Sequence, residues 1–168
     1  MGRSLEEKED FLVLVGKTIS SVNVKEKLVV ARDFNCHVGA DALGFEGVHG
    51  GQGFGTRNVE GEMLLELASA LGLVVVNTCF SKRDSHKVTF ESGGARTVVD
   101  YVLVRRQDRA MVLDVKVMCE SQCDKEGTDK VEIPEEPVLL QHRLIVCDLV
   151  MKEHVIQKAP VFVSGCKV

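Results

Sequence analysis

A glycine-rich stretch in the first third of the chain constrains the fold more than any other feature of the sequence. Seven glycines fall between residues 39 and 55. Glycine loses more conformational freedom on folding than any other residue, so no packed helix or strand is expected at that density. The stretch is therefore predicted to be a long loop, and a loop of this length within a domain is usually functional or disordered.

Two helices are predicted, one on either side of this loop. A capping-box spacing followed by apolar residues near the helical period predicts the first helix over residues 5–21. The second is predicted from a cap at Asn58 through Leu71, and Gly72 stands where a left-handed helix stop belongs. Both carry apolar residues along one side, as amphipathic helices do.

Six short runs rich in β-branched and other apolar residues predict strands. Two of these runs flank Gly93-Gly94 and are predicted to form a hairpin. The order of helices and strands predicts a mixed α/β layer protein with a mixed sheet. The predicted strands are residues 28–31, 73–76, 88–90, 97–104, 111–118 and 144–150.

The remaining C-terminal segments lack such patterns. Residues 120–136 hold seven acidic side chains and a proline, which predicts a solvated loop. No period is visible from residue 151 on, so residues 151–168 are expected to form an irregular tail. Residues 1–150 are then expected to be one domain, which suits a chain of 168 residues.

The formal net charge of −4 argues against a protein that coats nucleic acid, since phosphate contacts need a basic surface. It leaves room for a nuclease, which needs only a local basic rim around an acidic metal site. No apolar run approaches the ~20 residues that span a bilayer, and the N-terminus lacks the basic-then-apolar order of a secretory signal. We therefore expect a cytoplasmic or nuclear protein that is neither secreted nor bound to a membrane.

Six cysteines are present, and in a reducing compartment they are expected to be free thiols. Cys119 and Cys123 have a C-x-x-x-C spacing, but no second such pair follows. A structural zinc site needs four ligands at workable spacing. A zinc-binding module is therefore the weakest of the functional hypotheses.

Polar residues at the ends of apolar strands are the strongest candidates for chemistry. Asp33 and Asn35 follow the run at residues 28–31, where turn formation is the competing interpretation. Asp100 lies in an otherwise apolar strand, and a buried carboxylate is costly unless it is paired. His142 stands at the entry to the last strand. Asp and His in such places are natural partners, because the carboxylate fixes the imidazole tautomer and stabilises its protonated form.

The segments around Asp33, Asp100 and His142 resemble, in that order, the G-D-F-N, I-D-Y-[IV] and [SD]-D-H motifs of the endonuclease/exonuclease/phosphatase superfamily. That superfamily includes DNase I and the endonuclease domains of non-LTR retrotransposons. The chain is more closely similar to the retrotransposon-derived group called craniofacial development protein 2. The further stretches that carry this similarity are residues 44–51, 53–58, 82–86 and 100–106.

The resemblance implies a fold, a reaction and a set of roles. The fold would be the C-terminal part of a four-layer α/β sandwich of the DNase I-like type. The reaction would be hydrolysis of DNA phosphodiesters with Mg²⁺, for which Mn²⁺ can substitute. Asp33 would bind the metal and activate the attacking water, and Asn35 would hold a phosphoryl oxygen. His142, oriented by Asp100, would stabilise the transition state. The residues expected to bind the substrate are Lys82, Arg83, His86 and Lys87.

The chain departs from the family's pattern at three points. Arg32 replaces the glycine that begins the first motif, and Gln141 places an amide where the family has a negatively charged metal ligand. The family also has an earlier half-sandwich with an Asn and a metal-binding Glu, so the chain is expected to be truncated and weakly active or inactive. The alternative is a non-catalytic interaction module. The sheet face left bare by the missing half is expected to cause self-association.

Overall fold

The computed structural model describes residues 5–118 and 142–150. Two helices and seven strands form the regular structure of this described part, with short 3₁₀ turns at Val76–Cys79, Asp84–His86 and Arg106–Met111. The helices are α1 (Leu5–Ser21) and α2 (Val59–Ala70). The strands are β1 (Val29–Asp33), β2 (Leu73–Val75), β3 (Phe90–Ser92), β4 (Ala95–Thr97), β5 (Asp100–Arg105), β6 (Val112–Val117) and β7 (Ile145–Leu149).

A three-stranded antiparallel sheet in the order β1-β5-β2 lies at the centre of the described residues. β3 pairs with β4 and β6 pairs with β7, also antiparallel. The mixed α/β class expected from the sequence is present, but the expected mixed sheet is not found among these strands, and β2 has a parallel contact only in the isolated bridge between Val75 and His49. β1 and β2 run in the same direction, and because β5 lies between them, they do not become parallel neighbours.

Both faces of β5 are covered, because its alternate side chains enter two different cores. On one face, Tyr101 and Leu103 belong to a cluster with Ile19 of α1 and with Leu64 and Leu65 of α2. The other face meets the β6–β7 pair. The bare sheet face expected from the sequence is therefore not found on β2 or β5. The buried residues of this second cluster are Val74, Val76, Val102, Val104, Val112 and Val115.

β1 is less buried than predicted. The first apolar run predicted a buried strand, yet β1 alternates exposed and half-buried positions. Val30 packs against the helix-side core, whereas Val29 and Ala31 are exposed. In the described part of the chain β1 pairs on one side only, with β5, and an edge strand with one covered face shows this alternation.

The predicted second strand of the hairpin is divided in two. β4 pairs with β3 across the predicted turn at Gly93 and Gly94, whose φ angles of 57° and 81° suit glycine. β5 then begins a new strand that belongs to the central sheet. The hairpin ladder ends because the Thr89 hydroxyl accepts the N–H groups of Val99 and Asp100, which turns this stretch away from β3.

α2 begins and ends where the sequence predicts. The Asn58 side chain accepts the Gly61 N–H at 2.8 Å and so caps the first turn. Gly72 has a φ of 64° just beyond the last turn, the left-handed stop expected there. The Asn58 side chain also accepts the His37 N–H at 2.9 Å, which ties the start of α2 to the segment that follows β1.

The glycine-rich stretch at residues 39–55 is a loop, as predicted, and it is built around His49. His49 is buried, with 3% of the residue exposed. Its Nδ1 accepts the Gly51 N–H at 3.0 Å, and its Nε2 donates to the Gly39 carbonyl at 3.1 Å. At Gly53 a Cβ atom would lie 1.9 Å from the Gly39 oxygen, so only glycine allows this approach. The loop is therefore packed on itself through backbone contacts.

Several sequence predictions fall outside the described residues. The acidic loop at 120–136 and the tail at 151–168 lie there, as do Cys119, Cys123 and Gln141. Within the described residues, neither helix is both long enough and apolar enough to cross a membrane.

Candidate active site

The sheet register brings the two candidate carboxylates together. Asp33 is the last residue of β1, Asp100 is the first of β5, and the antiparallel ladder pairs them directly. Directly paired residues have Cβ atoms about 5 Å apart. The Arg32 guanidinium lies over the Phe11 ring, 4.2 Å from its centroid. The guanidinium is therefore directed to α1 and does not displace the neighbouring carboxylate from the ladder.

Asp33 and Asn35 form a tight turn at the end of β1. The Asn35 N–H donates to Asp33 Oδ1 at 2.8 Å, and Asn35 Nδ2 donates to Asp33 Oδ2 at 3.0 Å. Asn35 has a φ of 49°, a left-handed conformation that is uncommon outside glycine but that asparagine tolerates better than most residues. The turn interpretation is thus correct for the local geometry. The same turn also presents a carboxylate and an amide side by side at the end of the strand.

His142 lies beside the two carboxylates and binds one of them. Its Nδ1 lies 3.0 Å from Asp100 Oδ2. Because the acceptor is a carboxylate, Nδ1 carries a ring proton and donates it. The His142 side chain is 41% exposed and that of Asp100 18%, so the carboxylate lies on the inner side of the pair. The contact between Asp100 and His142 expected from the sequence is present in the structure.

The β3–β4 hairpin holds His142 in place. His142 forms an antiparallel bridge with Phe90, and the two rings meet edge to face with centroids 4.9 Å apart. The Arg143 N–H donates to the Thr89 carbonyl at 2.7 Å, and the Arg143 guanidinium donates to Glu91 at 2.6 Å. These contacts position a residue that lies far along the chain from the carboxylate it binds.

Thr89 was not among the predicted site residues, yet it binds the backbone of Asp100 and of Arg143, the residue that follows His142. Thr89 is fully buried. Its hydroxyl accepts the Val99 N–H at 3.0 Å and the Asp100 N–H at 3.2 Å, while its carbonyl accepts the Arg143 N–H. Threonine is common in strands for reasons of packing alone. Nothing in the sequence around Thr89 therefore distinguishes a residue that supports the site from an ordinary strand residue.

Ligand atoms of Asp33, Asp100 and His142 all lie within 4.8 Å of one another. Two carboxylates and an imidazole form a donor set that can hold a divalent cation together with water. Mg²⁺ usually keeps several waters and binds through one or two carboxylates, so these residues fit it. They do not select it, because an imidazole nitrogen suits other divalent ions at least as well.

Three of the four residues expected to bind the substrate line one cleft. Lys82, His86 and Lys87 line this cleft together with Val98 and Tyr101. Both of these wall residues lie on the segment that carries Asp100, but none of the clustered residues Asp33, Asp100 and His142 lines the cleft.

The cations of this cleft have partners within the protein. Lys82 Nζ pairs with Asp114 at 2.7 Å, and Lys87 Nζ donates to the Gly53 carbonyl at 3.1 Å. Arg83, the fourth predicted residue, is exposed. A phosphate that binds Lys82 must therefore compete with the Asp114 carboxylate, which weakens the expected substrate role of this lysine.

Two protonatable groups buried near the site act in packing. Burial raises the pKa of the Cys36 thiol to about 12, and the nearby Asp33 carboxylate adds to this rise. Burial also raises the pKa of Tyr101, whose hydroxyl donates to the Val98 carbonyl at 2.8 Å and accepts the Val38 N–H at 3.2 Å. A thiol that stays protonated is a poor nucleophile, so the chemistry of the site belongs to the carboxylates, the amide and the imidazole.

Comparison with models of protein families finds no match for this chain, and comparison with curated proteins finds none that is similar to it.

Proposed function

We propose that this chain carries the site of a divalent-cation-dependent nuclease that hydrolyses DNA phosphodiesters. The observation that carries the proposal is the cluster of Asp33, Asp100 and His142, in which Asp100 binds the imidazole at 3.0 Å. The three motifs that contain these residues support it through their resemblance to the endonuclease/exonuclease/phosphatase superfamily. By the same resemblance, the described sheets would belong to the C-terminal part of a four-layer α/β sandwich.

Hydrolysis of a phosphodiester needs a positioned water and stabilisation of the charge that builds on the phosphoryl oxygens. Asp33 accepts a proton from the attacking water. Asn35 uses one N–H of its amide on Asp33, and the second N–H is the donor for a phosphoryl oxygen. When the phosphate is bound, His142 carries a proton on both ring nitrogens and donates from Nε2 to a phosphoryl oxygen, while Asp100 accepts from Nδ1. A bound Mg²⁺ or Mn²⁺ would offset the negative charge on the leaving and non-bridging oxygens.

We expect this reaction to be slow. In the described part of the chain the cluster has two carboxylates, and Asp100 already binds His142. Asp33 is then the main ligand left to hold the cation, and a sparse ligand set binds Mg²⁺ weakly. Removing one preorganised stabilising group from an active site typically lowers the rate ~10²–10³-fold. We therefore expect an activity far below that of an enzyme with a full set of metal ligands.

The test is nicking of supercoiled plasmid over a series of Mg²⁺ and Mn²⁺ concentrations. We expect slow, cation-dependent nicking by the wild type and only background nicking by Asp33→Ala and by His142→Ala. The matched control is Asp41→Ala, which removes a carboxylate with a 78% exposed side chain from the glycine-rich loop. This variant should nick at the wild-type rate.

Equal rates for the wild type and the two site variants would contradict the proposal. That result would favour the non-catalytic interaction module, in which the cluster has only a structural role. Stoichiometric zinc in the purified protein would instead favour a zinc-binding module. Nicking that survives chelation of divalent cations would also count against the proposed chemistry, because it would show a contaminating or cation-independent activity.

A further inference from the structure

We propose that Asn77 is a positioning residue for the His–Asp pair, an inference that rests on the proposed nuclease function for its effect on catalysis. Its side chain binds the backbone of β5 at two points. Asn77 Oδ1 accepts the Val102 N–H at 2.7 Å, and Nδ2 donates to the Asp100 carbonyl at 3.2 Å. Asn77 thereby sets the backbone from which the Asp100 carboxylate reaches His142.

Beyond the end of β2, the Asn77 amide binds the backbone of β5 in place of a strand partner. β2 pairs with β5 as far as Val75, opposite Leu103, and the chain then enters the 3₁₀ turn at Val76–Cys79. Beyond that point β5 has no strand partner on this side in the described residues. One carboxamide offers both an acceptor and a donor, as a strand residue does to its neighbour. An apolar residue here would leave two backbone groups of β5 without that partner.

Asp100 is held from three directions. The Thr89 hydroxyl accepts its N–H at 3.2 Å, Asn77 donates to its carbonyl, and the ladder pairs it with Asp33. Loss of the Asn77 contact releases the carbonyl side of this residue. The strength of a hydrogen bond depends steeply on distance and angle, so a small displacement of the carboxylate weakens its bond to His142.

Thr78 provides a matched control in the same turn. Its hydroxyl also makes two bonds to the backbone, donating to the Val75 carbonyl at 2.6 Å and accepting the Gly50 N–H at 2.8 Å. Neither partner lies on β5. Thr78→Val therefore removes as many hydrogen bonds as Asn77→Ala does, from a neighbouring position, and leaves the contacts of Asp100 in place.

The first measurement is the tautomer of His142 in the full chain, labelled with ¹⁵N on histidine and observed by long-range ¹H–¹⁵N correlation at one fixed pH. No metal or DNA is added, and the signal is assigned by its loss in His142→Gln. We expect Nδ1 to carry the proton in the wild type and in Thr78→Val. Asn77→Ala should lose this preference, because the carboxylate that fixes the tautomer has moved.

A second variant keeps the test decisive if the alanine variant does not fold. Asn77→Asp retains an acceptor for the Val102 N–H but has no donor for the Asp100 carbonyl. It should therefore disturb the His142 tautomer as Asn77→Ala does. In the nicking assay with Mn²⁺, loss of such an outer contact is expected to lower kcat about 10- to 100-fold with little change in KM, whereas Thr78→Val keeps the wild-type kcat.

An unchanged His142 tautomer in both Asn77 variants would overturn the proposal, even if nicking fell, because the loss would then reflect stability alone. A tautomer change in Thr78→Val equal to that in Asn77→Ala would overturn it as well. Absence of nicking by the wild type would contradict the proposed function instead. The tautomer would still decide the role of Asn77, since that measurement needs no catalysis.

Discussion

Among single residues, His49 shows how one buried side chain can organise a glycine-rich loop. Its Nδ1 accepts the Gly51 N–H and its Nε2 donates to the Gly39 carbonyl. This arrangement needs the neutral ring, because a protonated Nδ1 cannot accept a hydrogen bond. Burial lowers the pKa of His49 below its ordinary value of 6.5, and the nearby Arg57 guanidinium lowers it further.

We predict that acidification destabilises the protein through His49. Because the folded-state pKa lies below the unfolded-state value of 6.5, the unfolded chain binds more protons as the pH falls below 6.5. The stability that the neutral ring contributes is thus complete above that value and is lost as the pH falls towards the folded-state pKa. Urea denaturation over a pH series that begins near neutrality measures this loss.

The matched variant for this prediction is His49→Ala. At neutral pH it should be less stable than the wild type by about 1–3 kcal/mol, because the Gly51 N–H and the Gly39 carbonyl lose their partner. It should also lack the part of the acid destabilisation that His49 causes. The same dependence of unfolding free energy on pH in both proteins would contradict the assignment.

Among the elements, α2 approaches the segment after β1 through a glycine. At Gly61, in the first turn of α2, a Cβ atom would lie 1.8 Å from the His37 carbonyl oxygen. The missing side chain lets the two backbones touch, and it brings Asn58 within reach of the His37 N–H. The helix start therefore supports the chain that leads away from the Asp33 turn.

We predict that Gly61→Ala destabilises the protein, although the same change in a solvent-exposed helix normally stabilises it by about 0.5–1 kcal/mol. Overpacking against a backbone carbonyl that cannot rotate away costs about 1–3 kcal/mol, so the sign is reversed. The control is Gly16→Ala in α1, where the nearest atom is the terminal Cδ1 of Leu67 at 3.1 Å, which can shift. Thermal and urea unfolding compare the two variants, and equal stability would refute the close approach.

At the scale of the whole molecule, β5 joins two layers. The helices cover one face of the central sheet and the β6–β7 pair covers the other. The candidate site lies at the end of β5 where its first residue meets the last residue of β1. The hairpin reaches the same point from the side and supplies the contacts that hold His142. The site is therefore built by elements that are distant in the sequence and depends on the assembly of all of them.

Self-association of the chain stays a prediction, but the surface expected to mediate it is no longer the sheet face. The sheet face that was expected to drive it is covered on β2 and β5. Exposed apolar side chains in the described part include Leu14 of α1, 62% exposed, and Leu144 before β7, 70% exposed. Contact between copies would remove such side chains from water. We expect sedimentation velocity to show heavier species as concentration rises, and one monomeric species at every concentration would contradict this.

The sequence by itself determined those helices and turns whose signals lie within a few neighbouring residues. α1 spans its predicted residues, and α2 begins and ends as predicted, because the helical period, the Asn58 cap and the Gly72 stop act within one or two turns. The sequence alone also identified the cluster residues Asp33, Asp100 and His142 as candidate site residues. An Asp or a His at the end of an apolar strand needs a partner, and that need is visible without knowing where the partner lies.

Only the tertiary structure decided how those residues meet. The pairing of Asp33 with Asp100, the division of the predicted hairpin strand and the exposure of β1 all depend on which segments become neighbours. Thr89 and Asn77 lacked any distinguishing sign in the sequence for the same reason. Their side chains bind backbone groups of β5 that are left without a strand partner. Which backbone groups lack a strand partner is decided only when the sheet forms, so no local sequence pattern can predict them.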